Sequence, residues 1–272
     1  MAKELTPYQV KMQGLEGVMR RPAFMAALTA NASRYVRPDK MAQMVITAAT
    51  MNPDILDCTP ASVMRSVLVA ASVGLEIGPA LGHAYLVPFK TDCQFIMGYR
   101  GAINLVSRSG KILNVSARAV YDCDEFDVQY GTEERIHHKP MLLKRPEGAR
   151  LIATYAVALL ANGSRAFHVS NLDEIESAKA KSKAKAGPWS DAVGYLGMAR
   201  KTPVLRLAKY LPMDGDMANA TLAEEAAERG VPQGAEFLQL TDDLDPPPTT
   251  AEAVRGKLDS IPRPGAEVAV SA

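Results

Sequence analysis

The sequence predicts a fold that mixes helices and β-strands, with helical segments on both sides of a strand-rich middle. Residues 1–55 repeat apolar residues at helical spacing, whereas residues 83–169 hold short apolar runs rich in β-branched and aromatic side chains. Beyond about residue 213 aromatic residues nearly vanish, and proline and acidic residues accumulate. We therefore expect a helical N-terminal region (1–55), a core of helices and strands (56–212) and an acidic, largely disordered tail (213–272).

Two helices near the N-terminus have clear start and stop residues. In RPDKMAQMVITAATMN, Pro38 suits the first helical position and an Asn-Pro pair ends the run. In CTPASVMRSVLVAASVGL, Thr59 is a natural N-cap, Pro60 follows as the first helical residue, and Gly74 supplies the left-handed residue after the helix. Both segments are therefore predicted to be helices.

The strand-rich middle contains two predicted hairpins. The runs HAYLVPF and CQFIM are short and apolar, and a Thr91-Asp92 turn separates them. The longer runs KILNVSARAVY and RLIATYAVALLANG are further strand candidates. The Asn162-Gly163 pair between VALLA and SRAFHV is the dipeptide that favours a tight hairpin turn, so we expect antiparallel pairing on either side of it.

The segments after the strands are predicted to be helical. SNLDEIESAKAK begins with Ser170 and Asp173 placed as a capping box. SDAVGYLGMARKTPVLRLAKYL is predicted to be a helix that Pro203 kinks or splits, because proline lacks the N–H of the helical hydrogen bond. TLAEEAAERG is a candidate short helix within the tail.

A glycine- and cation-rich segment, GYRGAINLVSRSGK (98–111), raises the question of phosphate binding. It lacks the spacing of a P-loop and of the G-x-G-x-x-G motif, so ATP binding by either loop is not expected. GYRG matches the G-x-x-G of KH domains, which makes a KH-like RNA-binding module one alternative. A tight turn into a helix explains Gly98 and Gly101, and the end of that helix explains Gly110. The cations Arg100, Arg108 and Lys111 then remain as candidate contacts to a nucleic-acid backbone.

The segment YDCDEFDVQYG is an acidic cluster. Asp122, Asp124 and Asp127 have a spacing that suits a divalent metal, and a metal-dependent nuclease is a second alternative function. An exposed acidic edge or turn is the competing interpretation. The adjacent His137 and His138 would diverge on a strand, so no zinc pair is expected. No cofactor is expected, and Mg²⁺ enters only as an optional one.

The strongest functional signal is the run AKAKSKAKAGPW, in which lysines alternate with small residues. Such a run crowds cations over a short length with little steric bulk, so a phosphate backbone can approach closely. A flexible lysine-rich loop before an amphipathic helix is the competing interpretation. Together with the GYRG cations and Arg118, the basic residues favour a polynucleotide ligand. The two basic sets are Lys179, Lys181, Lys183 and Lys185 with Trp189, and Arg200, Lys201, Arg206 and Lys209.

The charge distribution is typical of nucleic-acid-binding proteins. Residues 1–210 carry 27 Lys and Arg against 18 Asp and Glu, a net charge of +9, and residues 211–272 carry 4 against 12, a net charge of −8. No apolar run approaches the roughly eighteen residues of a membrane span. The N-terminus does not resemble a secretory signal, and the three cysteines lack paired spacing. We therefore expect a cytoplasmic protein.

The order of the motifs resembles that of the RecT family of phage recombinases, the single-strand annealing proteins. The resemblance covers roughly residues 55–212 and implies an α+β fold, with a curved antiparallel sheet backed by helices. The motifs that carry it are, in order, SVLVAASVGLEIGPALGHAYLVPF, GYRGAINLVSRSGKI, VYDCDEF, IHHKP, ATYAVAL, AKAKSKAKAGPW and KTPVLRLAKYLP.

The resemblance also implies a function. The chain would be a non-enzymatic protein that binds single-stranded DNA and anneals complementary strands without ATP, in phage-type homologous recombination inside a bacterial host cell. It would assemble as a ring or helical filament. Its helical N-terminal region would serve either in that oligomerisation or as a clamp on the DNA. Its implied partners are the annealed duplex, a phage exonuclease and a host single-strand-binding protein, with no membrane.

The family motifs imply particular DNA contacts. Tyr99 or Trp189 would stack on bases, although Trp189 is equally interpreted as a core anchor. Pro203 departs from the unbroken helix expected after the Lys-Thr pair, which leaves the register of Arg206 open. The implied backbone contacts are Arg100, Arg108, Lys111, Lys181, Lys183 and Lys201.

Overall fold

The computed structural model describes residues 5–181, 189–212, 215–234 and 237. Within these residues the N-terminal part is helical, as predicted. The elements before the first strand are α1 (Pro7–Met19), α2 (Pro22–Asn31), α3 (Pro38–Met51), a 3-10 helix (Pro53–Asp57) and α4 (Pro60–Ser72).

Helix α4 lies inside the main hydrophobic core, and its predicted ends are confirmed. The side chain of Thr59 accepts a hydrogen bond from the backbone N–H of Ser62, and Pro60 is the first helical residue. Gly74 follows the helix with a φ of 69°, the left-handed conformation that glycine adopts without strain. Helix α4 packs against α2, α3 and the first hairpin, so the local signals at its ends position the centre of the core.

The strands of the described residues form three small antiparallel sheets. Their order in the sheets is β1–β2, β3–β6–β7 and β4–β5. Both predicted hairpins are confirmed, but the first turn lies at Lys90 and Thr91 because Asp92 already pairs with Phe89. The elements of this part are β1 (Ala84–Phe89), β2 (Asp92–Met97), α5 (Tyr99–Arg108), β3 (Ile112–Tyr121), β4 (Glu125–Gln129), β5 (Arg135–Lys139), β6 (Leu151–Leu160) and β7 (Arg165–Asn171).

In the part of the chain that the structure describes, the strands are followed by α6 (Leu172–Lys181), α7 (Ala192–Ala208) and α8 (Gly215–Arg229). The capping box predicted for Ser170 is wrong, because Ser170 is buried in β7 and Asn171 accepts the hydrogen bond from the N–H of Glu174. Helix α7 packs across β3, β6 and β7 and contains Pro203 in its interior. Of the kink or split predicted at this proline, the split is wrong, because one helix runs through it.

Helix α8 belongs to the folded core, although the sequence suggested a largely disordered region beyond residue 213. It packs against α4, α5 and β2. Beyond it, the side-chain amide of Gln233 accepts a hydrogen bond of 2.6 Å from the N–H of Phe95 and donates one of 2.8 Å to its carbonyl. Gln233 thus makes the two backbone hydrogen bonds to Phe95 that a neighbouring strand would make to β2. Residues 238–272 lie outside the described part of the chain. The helices and antiparallel strands of the described part confirm the predicted α+β class.

Candidate nucleic-acid interface

The glycines of the GYRG segment are required by close backbone packing. A Cβ on Gly98 would lie 2.0 Å from the carbonyl oxygen of Gly82, and one on Gly101 would lie 2.2 Å from that of His83. The N–H of Gly98 also donates a 2.8 Å hydrogen bond to the carbonyl of His83. The glycines therefore seat the start of α5 against the chain just before β1, and the architectural interpretation of these glycines explains their presence.

This packing exposes the two residues between the glycines. Tyr99 is 39% exposed, and Nε of Arg100 lies 3.3 Å from its phenolic oxygen. Tyr85, on β1, is also partly exposed and approaches the same turn, since a Cβ on Gly82 would lie 3.1 Å from the Tyr85 oxygen and 3.5 Å from Cδ of Arg100. Two aromatic rings and a guanidinium therefore share one exposed corner.

A third aromatic ring, that of Tyr35, also lies against arginines. The Arg34 guanidinium lies 5.0 Å from the centre of the exposed Tyr35 ring, and the Arg108 guanidinium lies 4.0 Å from it. His83 is close enough to feel the charges of both groups: burial lowers its pKa, Glu76 opposes that effect, and the charges of Arg108 and Arg100 lower the pKa again. We call the five exposed or partly exposed residues Arg34, Tyr35, Tyr85, Tyr99 and Arg100 the aromatic–basic surface.

This surface has the chemistry of a single-strand binding site. Exposed aromatic rings stack on bases without selecting a sequence, and arginines contact phosphates or stack in the same way. The sequence prediction named only Tyr99 and Arg100 of this set. Arg34, Tyr35 and Tyr85 were missed because they lie in other elements, although the Arg-Tyr pair at 34 and 35 was a signal of the same type.

Comparison with known proteins identifies the family. The model of the RecT family matches residues 39–236. The chain is 35% identical over 228 residues to Protein RecT of Escherichia coli K12, with 80% of this chain and 83% of that protein covered. The chain belongs to the RecT family. It is also 27% identical over 188 residues to the protein YqaK of Bacillus subtilis 168, with 68% of this chain and 61% of YqaK covered.

Membership of the RecT family makes this a protein of the recombination and strand-annealing class. The predicted contacts of this RecT-family protein do not all lie on one surface. Lys111 is exposed directly after α5, and Arg118 is exposed on β3, with Nη1 donating to the Ala117 carbonyl. Both are accessible to a polynucleotide, and neither belongs to the aromatic–basic surface.

Arg108 has a different role from the one predicted. Its side chain is only 8% exposed, and Nη1 donates a 2.8 Å hydrogen bond to the carbonyl of Val73. Nη2 donates to the carbonyl of Gly74 at 2.5 Å, and Nη1 also lies 3.2 Å from Asp216 on α8. The prediction that Arg108 contacts DNA is not supported, because its guanidinium closes the end of α4 and joins it to α8.

The other predicted cations that the structure describes lie on α6 and α7. Lys179 pairs with Glu176 at 3.4 Å, and Arg206 pairs with Glu174 at 2.9 Å while remaining partly exposed. Arg200 is exposed. Lys181 ends α6, whereas Lys183 and Lys185 lie outside the described residues. The helix register of Arg206 is settled, since α7 continues through Pro203 to Ala208.

Lys201 occupies a partly buried position on α7. Burial lowers the pKa of its amine, and the charge of Glu224 on α8 opposes that effect. The carboxylate of Glu224 in turn accepts a 3.1 Å hydrogen bond from the N–H of Met97, the second residue before Tyr99. Glu224 therefore connects Lys201 with the strand that leads into the aromatic–basic surface.

Trp189 is a core residue. Its side chain is buried with Ile175 and Ala199, and its ring meets that of Tyr195 edge to face at 5.6 Å. Stacking on bases requires an exposed ring face, so the structure favours the core-anchor interpretation of Trp189.

The three aspartates of the acidic cluster do not form a common metal site. Asp122 accepts hydrogen bonds from the backbone and side chain of Arg150, and Asp127 lies exposed on β4. The Asp124 side chain is enclosed, with Oδ2 2.9 Å from the N–H of Tyr121 and 3.2 Å from Nε2 of His138. Among the described residues no group of three or more His, Cys, Asp or Glu is placed to hold a metal ion.

The neighbouring histidines diverge as predicted. His138 is buried against Asp124 and Tyr155, whereas His137 is exposed on the other side of β5. In the part of the chain that the structure describes, no helix is both long and apolar enough to span a bilayer.

Proposed function

We propose that this RecT-family protein binds single-stranded DNA on the aromatic–basic surface and anneals complementary strands without ATP. The observation that carries the proposal is the exposed Tyr99–Arg100 pair beside Tyr85, held in place by glycines that pack backbone against backbone. The family membership supports a role in recombination, and no covalent step is needed for strand pairing. The protein is therefore proposed not to be an enzyme.

The mechanism follows from the chemistry of that surface. Arg34 and Arg100 on this surface, together with Lys111 beyond it, would neutralise phosphates and release counterions, which gives affinity that does not depend on sequence. Tyr85 and Tyr99 would stack on bases, with roughly 1–3 kcal/mol per stacked base. A strand held in this way presents its remaining base edges to a second strand, and a matched duplex gains contacts that a mismatched one does not.

Several copies are proposed to assemble along the DNA as a ring or filament, in the cytoplasm of a bacterial host and with a phage exonuclease and a host single-strand-binding protein as partners. These partners follow from the family resemblance. Assembly extends the bound strand over many copies, so a long match is favoured over a short one.

An annealing assay tests the proposal. Two complementary labelled oligonucleotides are mixed with the protein without nucleotide, and duplex formation and strand integrity are followed. Arg100→Ala combined with Lys111→Ala should weaken single-strand binding and reduce the slope of log K against log salt by about 1.4, or about 0.7 per lost phosphate contact.

Arg37→Ala is the matched control, because Arg37 is equally exposed but pairs with Asp39 at the start of α3. An unchanged salt slope in the double variant would show that the two cations are structural. Cleavage of the strands in Mg²⁺ would support the nuclease alternative instead, and a preference for RNA of the same sequence would support the KH-like alternative.

A further inference from the structure

The fold brings two of the three cysteines together, although they are far apart in the sequence. Cys58 directly follows the 3-10 helix and precedes Thr59, the N-cap of α4, whereas Cys93 is the second residue of β2. Their thiols hydrogen-bond to each other. Both are free thiols, and Cys58 is 8% exposed and Cys93 is 3% exposed. We call Cys58 and Cys93 the thiol pair.

Hydrogen bonds from α4 hold the backbone of Cys93 in place. Its N–H donates a 2.9 Å hydrogen bond to the hydroxyl of Ser62, and its carbonyl accepts one of 2.7 Å from the hydroxyl of Ser66. The two serines lie one helical turn apart on the same face of α4. Helix α4 therefore fixes both backbone polar groups of Cys93, and with them the position of its Cβ.

A second set of contacts holds Cys58 on the other side of the thiol pair. The N–H of Thr59 donates a 2.8 Å hydrogen bond to the carbonyl of Thr91, in the turn before β2. Arg65, also on α4, lies 3.5 Å from Asp92. The first turns of α4 and the start of β2 are thus joined by contacts that do not involve sulfur. A disulfide requires two cysteines whose backbones are already close and whose side chains point together, and this framework supplies both conditions.

Cys58 is the more reactive member of the thiol pair. The hydrogen bond with Cys93 lowers the pKa of Cys58, against the opposing effects of burial and of the charges of Asp92, Asp57 and Asp54. The same hydrogen bond and deeper burial raise the pKa of Cys93. Cys58 also directly follows the exposed Asp57. The thiolate is the form that attacks an oxidant, so a small oxidant should react first at Cys58.

We propose that the thiol pair is a redox-sensitive site, at which a peroxide converts the two thiols into an intramolecular disulfide and cellular thiols reverse the reaction. Disulfides of this kind in a reducing compartment are transient and sense oxidation. The bond fastens the start of α4 to β2, the strand that leads into Gly98 and α5. Strand annealing does not require it, and it does not depend on how the protein binds DNA.

The oxidation proceeds in two steps. The Cys58 thiolate attacks one oxygen of hydrogen peroxide, the O–O bond breaks, and Cys58 becomes a sulfenic acid while hydroxide leaves. The Cys93 sulfur then attacks the sulfenic sulfur, the S–S bond forms, the S–O bond breaks, and water leaves with the proton of the Cys93 thiol. In total the two thiols lose two electrons and two protons, and the peroxide is reduced to two molecules of water.

The disulfide should stabilise the protein. It closes the chain between residues 58 and 93, and this restriction lowers the conformational entropy of the unfolded chain. The folded chain changes little, since the two thiols are already in contact and α4 already holds the backbone of Cys93. We expect the melting temperature to rise by at least about 4 °C on oxidation and to return when dithiothreitol reduces the bond.

Mass spectrometry of the full-length protein tests the site directly. The native protein is treated with hydrogen peroxide in slight molar excess, the remaining thiols are alkylated with iodoacetamide in denaturant, and the intact mass and the peptide map are recorded. Before alkylation the oxidised wild type should be lighter by two hydrogen atoms. It should then take up one alkyl group in place of three and give a Cys58–Cys93 cross-linked peptide. Dithiothreitol should restore all three thiols.

Cysteine variants separate the thiol pair from the remaining cysteine. Cys123 is the matched control, because it is a free and partly exposed cysteine whose Sγ lies 3.9 Å from Oδ1 of Asp124. Cys123→Ser should form the disulfide and show the same rise in melting temperature as the wild type. Cys58→Ser and Cys93→Ser should form no intramolecular disulfide and show no rise. Cys58→Ser alone decides if Cys93→Ser, at the more buried position, fails to fold.

Three results would overturn the inference: oxidation of the native protein that leaves Cys58 and Cys93 unbridged, a bridge that includes Cys123, or a bridge between two copies. A melting temperature that stays the same or falls in the bridged protein would contradict the stabilising role of the bond. None of these measurements uses DNA, so a failure of the proposed annealing function would leave their outcome unaffected.

Discussion

The hydroxyl of Thr154 on β6 donates a 2.9 Å hydrogen bond to the carbonyl of Ala199 on α7. Ala199 is the residue four positions before Pro203, and its carbonyl would accept the helical hydrogen bond that proline is unable to donate. Thr154 is fully buried, so its hydroxyl satisfies a carbonyl that water does not reach. This contact explains why α7 continues through Pro203.

Replacing Thr154 by Val should therefore destabilise the protein by about 1–3 kcal/mol, because the Ala199 carbonyl is left buried without a donor. In a chain that also carries Pro203→Ala, the backbone N–H at position 203 is restored, and the loss should be clearly smaller. Urea denaturation of the four proteins in this cycle measures the coupling. Strictly additive changes would show that the threonine does not compensate for the proline.

The ends of α4 and the Asn-Gly hairpin could be predicted because their signals are local. Thr59, Pro60 and Gly74 lie within a residue or two of the helix ends that they define. The effect of Pro203 could not be predicted, since its compensation comes from Thr154 on another element, 45 residues before Ala199. Sequence spacing does not reveal which hydroxyl will face an unpaired carbonyl.

Arg108→Ala should lower stability strongly. The substitution removes the hydrogen bonds to Val73 and Gly74 and leaves Asp216 without its arginine partner, a loss on the order of 3–5 kcal/mol. Arg100→Ala, at an exposed position, should change stability by no more than about 0.5 kcal/mol. Denaturant titrations of both variants provide the comparison. Equal stabilities would contradict the structural role of Arg108.

Trp189 provides an intrinsic fluorescence probe, because it is the single tryptophan of the chain. Its buried position predicts blue-shifted emission, weak quenching by acrylamide and no quenching when single-stranded DNA binds. Addition of 6 M guanidinium should shift the emission to the red. Strong quenching by saturating oligonucleotide in the folded protein would instead mean that bases reach the indole.

Asp124 should make stability sensitive to acid. Burial raises its pKa, but hydrogen bonds from Tyr121, Met141 and His138 and the charge of Arg145 together lower it by more, so the net pKa lies below the ordinary value. A lowered pKa in the folded state adds stability above the unfolded pKa, about 4, and that stability is lost as the pH falls through the folded value.

Asp124→Asn should therefore be less stable than the wild type at pH 7 by about 1–3 kcal/mol, because one of the two backbone donors loses its acceptor. The difference should shrink as the pH falls below about 4. Asp127→Asn is the matched control, since Asp127 is exposed on β4. Thermal melts between pH 3 and pH 7 check both. A difference that stays constant with pH would contradict the role given to the Asp124 charge.

The candidate site could be predicted from the sequence only where its residues are neighbours in the chain. Tyr99 and Arg100 stand out because glycines bracket them in the sequence. Arg108 has the same composition signals, but its packing under α4 depends on the position of a helix more than thirty residues earlier in the chain. A cation proposed to bind DNA and a cation that closes a helix look alike in the sequence, and only their burial in the folded chain distinguishes them.

Ending the chain after residue 237 should be tolerated, whereas ending it after residue 212 should not. The longer variant keeps α8, the Gln233 contact to Phe95 and the buried Phe237. The shorter one exposes the edge of β2 and removes Asp216 from Arg108. Its melting temperature should fall by at least about 10 °C, since a loss of about 1 kcal/mol corresponds to roughly 2–4 °C in a chain of this size.

The longer variant should melt like the full-length protein and should also anneal DNA. If both variants melt alike, α8 does not stabilise the core, and the region after residue 212 is dispensable for folding.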